Sequence, residues 1–250
     1  MARLARMIRT MDATGGGPAW RPWWARPAIL AAGLIGFIAY ATWSALIAGK
    51  AEYGPYLSPF YSPALGTIGA VSAAIWILPY PLAFRGTCYY FRRAYHRSLL
   101  WDPPACAIAE LRHRRYRGET CLPLSLNNLH RYSLYAAVVL LGFLWYDALA
   151  SFLYHGHLYL GLGGLLLVVE TALLTAYTFG CHSLRHLVGG RLDSFSSSPL
   201  RRLRHRAWRA VSALNLRHGM WGWVSLFGVV LADVYVRLLQ GGMPDPHLLG

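Results

Sequence analysis

Five apolar stretches constrain this chain more than any other feature. Residues 27–48, 64–84, 132–153, 158–180 and 220–239 each approach the ~20 residues that a helix needs to cross a bilayer. Hydrophobic residues make up 56% of the chain and charged residues 14%, a balance that places it in the membrane class. The sequence therefore predicts an all-α integral membrane protein with a bundle of five transmembrane helices. The first 26 residues carry five arginines and no apolar core, so the first span reads as a retained anchor and not as a cleaved signal peptide. The chain divides into a basic segment 1–26, a five-helix domain 27–240 with basic loops 85–130 and 185–217, and a tail 241–250.

The net charge of +14 invites a nucleic-acid reading, but its distribution argues against one. Twenty-two of the 24 Lys and Arg fall before the first span, between Arg85 and Arg131, or between Arg185 and Arg217; only Lys50 and Arg237 fall on the other side. Positive charge marks the cytoplasmic side. The N-terminus is then inside and the C-terminus outside, in agreement with an odd number of spans. Trp20, Trp23 and Trp24 before the first span read as an interfacial belt. The outer loop 50–63 is rich in Tyr, Pro and Ser, suiting a short ordered cap. Pro79 and Pro81 predict a kink in the second span, which should continue as an interfacial helix over 87–97. There aromatics alternate with arginines in the headgroup layer.

Candidate chemistry gathers at the basic surface. Gly180-Cys181-His182-Ser183-Leu184-Arg185-His186 closes the fourth span, and His182 and His186, four apart, share one helical face. Cys88 lies just past the second span, and His130 and His218 lie at the starts of the third and fifth. Thiolates and imidazoles at one depth suggest a metal or haem site. Cys88, Cys106, Cys121 and Cys181 all map to the cytoplasmic side, where disulfides are rare, so ligand chemistry is the better reading. No CxxC is present, and Cys121 has no obvious partner. Two cofactors stay open at this point. A haem b needs two histidines at matching depth, which His130, His182, His186 and His218 can supply, and it asks for fewer assumptions. An iron–sulfur cluster in which two histidines replace two cysteines on one iron can draw on Cys88, Cys106 and Cys181 with His182 and His186.

Three acids lie inside spans: Glu170 near mid-membrane, with Asp147 and Asp233 towards the outer side. Ionisable groups in hydrocarbon usually face a bundle interior or a water-filled cavity. Local contacts with tyrosines such as Tyr146 or Tyr235 are one reading, and a partial proton path is the other. A transporter or a purely structural membrane protein is the competing class, but five unpaired spans lack the inverted repeats that transport folds show.

The strings FRGTCYYFRRAYHRSL, DPPACAIAE, GETCLPLSLNNLHRY, CHSLRHLVGGRLDSF and LNLRHGMWGWVSLFGVVLADVYV resemble the membrane-anchor subunit of actinobacterial succinate dehydrogenases, in particular the mycobacterial type with a single five-helix anchor. The resemblance covers most of 55–240. It implies a subunit of respiratory complex II without succinate chemistry of its own. A flavoprotein would oxidise succinate, and an iron–sulfur subunit would dock on the basic face. Electrons would then reach menaquinone through a membrane-embedded Rieske-type [2Fe–2S] cluster in place of haem. Carried onto this chain, the implied ligands are Cys88 and Cys106 on one iron and His182 and His186 on the other. Cys181 is the substitute for either cysteine, and His130 or His218 for either histidine. The family often reads CHSCRH where this chain has Leu184, so that position is not an obligatory ligand. Tyr89, Arg92, Arg131 and Tyr132 lie at the right depth to supply donors to a quinone. A haem b anchor of the same complex, or of a fumarate reductase, remains the alternative.

Overall fold

A computed structural model describes residues 24–64, 67–68, 71–72, 74–92, 95, 126–190 and 194–249. Cys106, Cys121 and residues 1–23 of the basic N-terminal segment lie outside the described residues. In chain order the helices are α1 (Ala25–Leu46), α2 (Ala74–Ile77), α3 (Pro79–Thr87), α4 (Leu126–Ala150), α5 (Leu162–Phe179), α6 (His182–Gly189), α7 (Pro199–Asn215) and α8 (His218–Gln240). Among the described residues, α1, α4, α5 and α8 are long and apolar enough to cross a membrane. Each presents one buried stripe and one apolar outer face. On α1, Ala31, Leu34, Phe37, Ala41 and Ala45 are buried, while Ile29 and Ile35 are exposed. An apolar stripe at this spacing faces a packing partner, and the apolar remainder suits lipid.

The second predicted span, 64–84, departs from expectation. Within it, β3 (Thr67–Ile68) pairs antiparallel with β4 (Val71–Ser72), and the helix that follows is split into α2 and α3 at Leu78–Pro79. Pro79 and Pro81 bring no N–H to a helical ladder, so a bend falls there, as the sequence predicts. The helical path from Ala74 to Thr87 is roughly 21 Å long, short of the ~30 Å hydrocarbon core. The preceding loop fills the difference by folding inward. Its 3-10 turn Pro59–Tyr61 packs the Phe60 ring 6.2 Å from Phe37. Tyr61 donates to the carbonyls of Ser44 and Ala45 at 3.0 and 3.1 Å, which the last turn of α1 leaves without intrahelical partners. The Tyr-Pro-Ser segment is thus a plug inside the bundle and not a surface cap.

Helix α8 is central, burying Gly222, Ser225, Leu226, Val229, Ala232, Asp233 and Val236. It packs along α5 and reaches α1 and the plug. Short antiparallel pairs close the end that carries Lys50: β1 (Glu52–Tyr53) with β2 (Tyr56–Leu57), β5 (Leu153–Tyr154) with β6 (His157–Leu158), and β7 (Leu160–Gly161) with β8 (His247–Leu249). The last pair ties down the C-terminal tail. A Cβ at Gly163 would come within 2.5 Å of the Tyr56 ring, so this close approach requires glycine. At the opposite, arginine-rich end, α6 and α7 form a helical hairpin. Ser198 caps α7 by accepting from Arg201 N–H, with Pro199 at the first position. Arg204 donates to Val188 O at 2.9 Å and to Gly190 O at 3.4 Å, closing the carbonyl end of α6.

Candidate functional site

Four buried or half-buried donors from four separate segments meet at the arginine-rich end. Cys88 follows α3, His130 lies near the start of α4, Cys181 joins α5 to α6, and His218 opens α8. His218 Nε2 lies 3.4 Å from Cys88 Sγ, and His130 Nε2 lies 3.1 Å from Cys181 Sγ. Cys181 is 0% exposed and His130 6%. Loss of water pushes both thiols above their ordinary values.

Thr87 fixes the state of His130. Its hydroxyl proton goes to Ala83 O at 2.6 Å, so its oxygen is left to accept at 3.1 Å from His130 Nδ1. Nδ1 is then the protonated nitrogen of the neutral ring, and Nε2 turns a lone pair toward Cys181. A partner that orients an imidazole in this way is the usual companion of a metal-binding histidine. Aromatic faces hold both rings flat: His130 stacks on Phe84 with centroids 4.8 Å apart and planes at 4°, and His218 stacks on Tyr177 at 4.8 Å and 13°. His218 Nδ1 has no hydrogen-bond partner among the described residues, whereas the Tyr177 hydroxyl is within hydrogen-bonding reach of the Cys88 thiol.

A cleft of about 720 Å³, within the range of small-molecule sites, is lined by three of these donors, Cys88, His130 and His218. Tyr89, Arg92 and Arg131, which the sequence put near a quinone, line it; Tyr132, 61% exposed, does not. His182 and His186 also line the cleft but sit at its exposed rim, with ring centroids 4.9 Å apart. Burial, with His186 and Arg185 nearby, lowers the His182 imidazole below its ordinary value. The fold therefore pairs His218 with Cys88 and His130 with Cys181, the two sulfurs lying in one buried cluster, and leaves His182 and His186 outside these pairs. Cys106 falls among the residues not described. Gly219 lets Tyr90 into the wall, because a Cβ there would lie 2.5 Å from the ring.

Sequence reasoning missed Arg85, Thr87 and Tyr177. Arg85 is buried, donating to Gly222 O at 2.8 Å and Ser225 Oγ at 2.9 Å. Its guanidinium carbon lies 4.6 Å from the Tyr177 ring centroid. The available signal was an arginine three residues before Cys88 inside an apolar and aromatic run, on the same helical face.

The three acids are not hydrogen-bonded to one another. Asp233, fully buried, accepts from Tyr40 at 2.6 Å, Ser44 at 3.0 Å, Arg237 Nε at 3.0 Å and from Ser58. Glu170 accepts from Thr171 at 3.0 Å through Oε2. Glu170 Oε1 and Asp147 Oδ2 are buried without a partner among the described residues. Beyond them Asp245 takes the hydroxyls of Tyr56, Tyr235 and Tyr159, at 2.6, 2.6 and 3.1 Å.

Apolar helices exposing their apolar faces, closed at one end by polar locks and opened at the other on a thiol–imidazole cleft, define a multi-pass membrane protein with its chemistry at one surface. The family model for the actinobacterial succinate dehydrogenase subunit SdhC matches residues 25–242, and the chain belongs to that family, whose members anchor succinate dehydrogenase in the membrane. Among solved structures it resembles a chain of the Mycobacterium smegmatis Sdh1 complex in the apo form. The identity is 39%, the match covers 92% of this chain and 93% of that one, and the TM-score is 0.81. No curated protein matches the chain.

Proposed function

We propose that this anchor transfers electrons from a docked iron–sulfur subunit of succinate dehydrogenase to menaquinone through a Rieske-type [2Fe–2S] cluster held by Cys88, Cys181, His130 and His218. Two thiol–imidazole pairs drawn from four segments, His218 with Cys88 and His130 with Cys181, carry the reading. Among the described residues no three His, Cys, Asp or Glu side chains converge as a single metal ion would require. A two-iron cluster asks instead for two ligands per iron, with imidazoles on one and thiolates on the other, and the donor set fits it. When bound, the group supplies a one-electron station whose potential imidazole ligation raises above that of all-cysteine clusters.

The chain's own residues do the rest. Thr87 keeps His130 Nε2 free of its proton, Phe84 and Tyr177 fix the ring planes, and burial keeps water from the sulfurs. Tyr89, Arg92 and Arg131 offer donors to the carbonyl oxygens of a quinone in the cleft. His182 and His186 at the rim are placed to relay the two protons that quinone reduction consumes. The arginine-rich end faces the cytoplasm by the positive-inside rule and receives the soluble subunits, the flavoprotein lying beyond the iron–sulfur subunit. The C-terminus then lies outside the bacterial cytoplasmic membrane. On the proton path, Glu170 and Asp147 each keep a carboxylate oxygen unpartnered among the described residues, whereas Asp233 keeps none.

The test is EPR and visible spectroscopy of the dithionite-reduced, purified complex. A rhombic [2Fe–2S] signal of low average g is expected, retained in His182→Ala and His186→Ala and lost in His130→Ala and His218→Ala. A haem Soret band in its place would make the histidines axial ligands. Loss of the signal in the His182 and His186 variants alone would return the ligand role to the rim pair.

A further inference from the structure

Arg85 is a permanent positive charge in the interior that makes no ion-pair contact with a carboxylate among the described residues, Glu170 acting on it only from a distance. Among the described residues the carboxylate ion pairs are Lys50 with Glu52 and Arg237 with Asp233. Arg85 is held by neutral groups instead: a backbone carbonyl, a serine hydroxyl and the faces of Tyr177 and, at 5.6 Å, Phe37. Such partners keep the guanidinium in place but do not neutralise it. Burying an uncompensated charge is costly, so its persistence implies a negative partner. The groups able to carry negative charge that act on Arg85 are the Tyr177 hydroxyl, the Cys88 thiol and Glu170. Tyr177 lies between them: it stacks on His218 and carries Arg85 on its ring.

We propose that Arg85 is the fixed counter-charge of the Cys88–Cys181–His130–His218 site and sets its electron affinity. The inference rests on the cofactor reading above and assigns what that reading leaves open, namely which residue sets the potential. Each electron delivered by the partner's iron–sulfur centre adds one negative charge at the site, with no proton needed there. Two such electrons, with two protons taken up at the cleft, convert a quinone to a quinol. A guanidinium anchored beforehand by Gly222 and Ser225 favours the more negative state without any reorganisation when the electron arrives, the electrostatic economy of a preorganised site. Arg85 touches none of the reacting atoms and is a positioning residue.

The experiment is a redox titration of the EPR signal in the intact complex carrying Arg85→Met, Arg85→Lys or Glu170→Gln. Arg85→Met is expected to keep the g-values and to lower the reduced-to-oxidised ratio at fixed potential about tenfold, equivalent to ~59 mV for one electron. Arg85→Lys should restore most of the ratio, because it keeps the charge, and Glu170→Gln should change it less than Arg85→Met does. An unchanged midpoint in Arg85→Met, or an equal loss in Arg85→Lys, overturns the proposal. If Arg85→Met does not assemble, Ser225→Ala decides: loss of one anchor should lower the ratio by a smaller factor, and no change overturns the assignment. Absence of the [2Fe–2S] signal from the unsubstituted complex would remove the cofactor reading itself and this inference with it, an outcome distinct from a signal whose potential ignores Arg85.

Discussion

The Asp233–Asp245 clusters at one end of the bundle and the Cys88–Cys181 cluster at the other treat buried polarity in opposite ways. Around Asp233 and Asp245 all four carboxylate oxygens are engaged, by Tyr40, Ser44, Ser58 and Arg237 at the first and by three tyrosines at the second. Around Cys88 and Cys181 the buried groups are left waiting. His218 Nδ1 and the indole N–H groups of Trp221 and Trp223 have no hydrogen-bond partner among the described residues, and the hydrogen bonds of Arg85 go to neutral acceptors. Buried polar groups are nearly always satisfied in finished structures. The satisfied end is a lock, and the other end carries the candidate site.

Substitutions at the two ends should therefore fail differently. Cys181→Ser should abolish the EPR signal and electron transfer to quinone while leaving thermal unfolding of the detergent-solubilised complex within a few degrees. A large fall in the unfolding midpoint would place Cys181 with the structural locks instead. Asp233→Ala should do the reverse. It leaves Arg237 partly buried and unpaired, at a cost of about 3 kcal/mol, and it should keep the EPR line shape. A changed g-tensor would show that the ends are coupled. Thr87→Val removes the acceptor for His130 Nδ1 and should weaken metal retention roughly tenfold, as loss of an orienting partner does elsewhere. Iron content after a fixed incubation with chelator measures this, and wild-type retention would deny Thr87 its role. Tyr56→Phe has the smallest expected effect, about 1 kcal/mol from one of three hydrogen bonds to Asp245. Equilibrium unfolding should detect it, with no change in quinone kinetics.

Much of the fold is legible in the sequence because lipid imposes length and hydropathy directly: α1, α4, α5 and α8 fall where the apolar runs place them. The second span is not, because a Tyr-Pro-Ser segment carries no hydropathy signal saying that Phe60 and Tyr61 fold into the bundle. At the site the residue types were readable and the grouping was not. His182 and His186, four apart, look like a ligand pair, but the chain leaves α5 at Gly180 and passes Cys181 in an extended conformation (φ −65°, ψ 138°). That break keeps Cys181 inside and starts α6 in a new direction, carrying both histidines to the rim. The stronger signal was depth: Cys181 at the close of one span, with His130 and His218 at the openings of two others, all share one level.

The shortened helix pair α2–α3 bears on how the protein is made. A nascent chain enters the bilayer when a segment is long and apolar enough to partition by itself, and a helical path of roughly 21 Å ending in buried Arg85 is a weak signal for that step. The segment must be retained by neighbours synthesised before and after it: α1, against which the plug packs, and α8, whose Gly222 and Ser225 hold Arg85. Because α8 emerges last of the long helices, placement of Cys88 waits for the end of translation. The cluster of thiols and imidazoles is then assembled only on a finished chain.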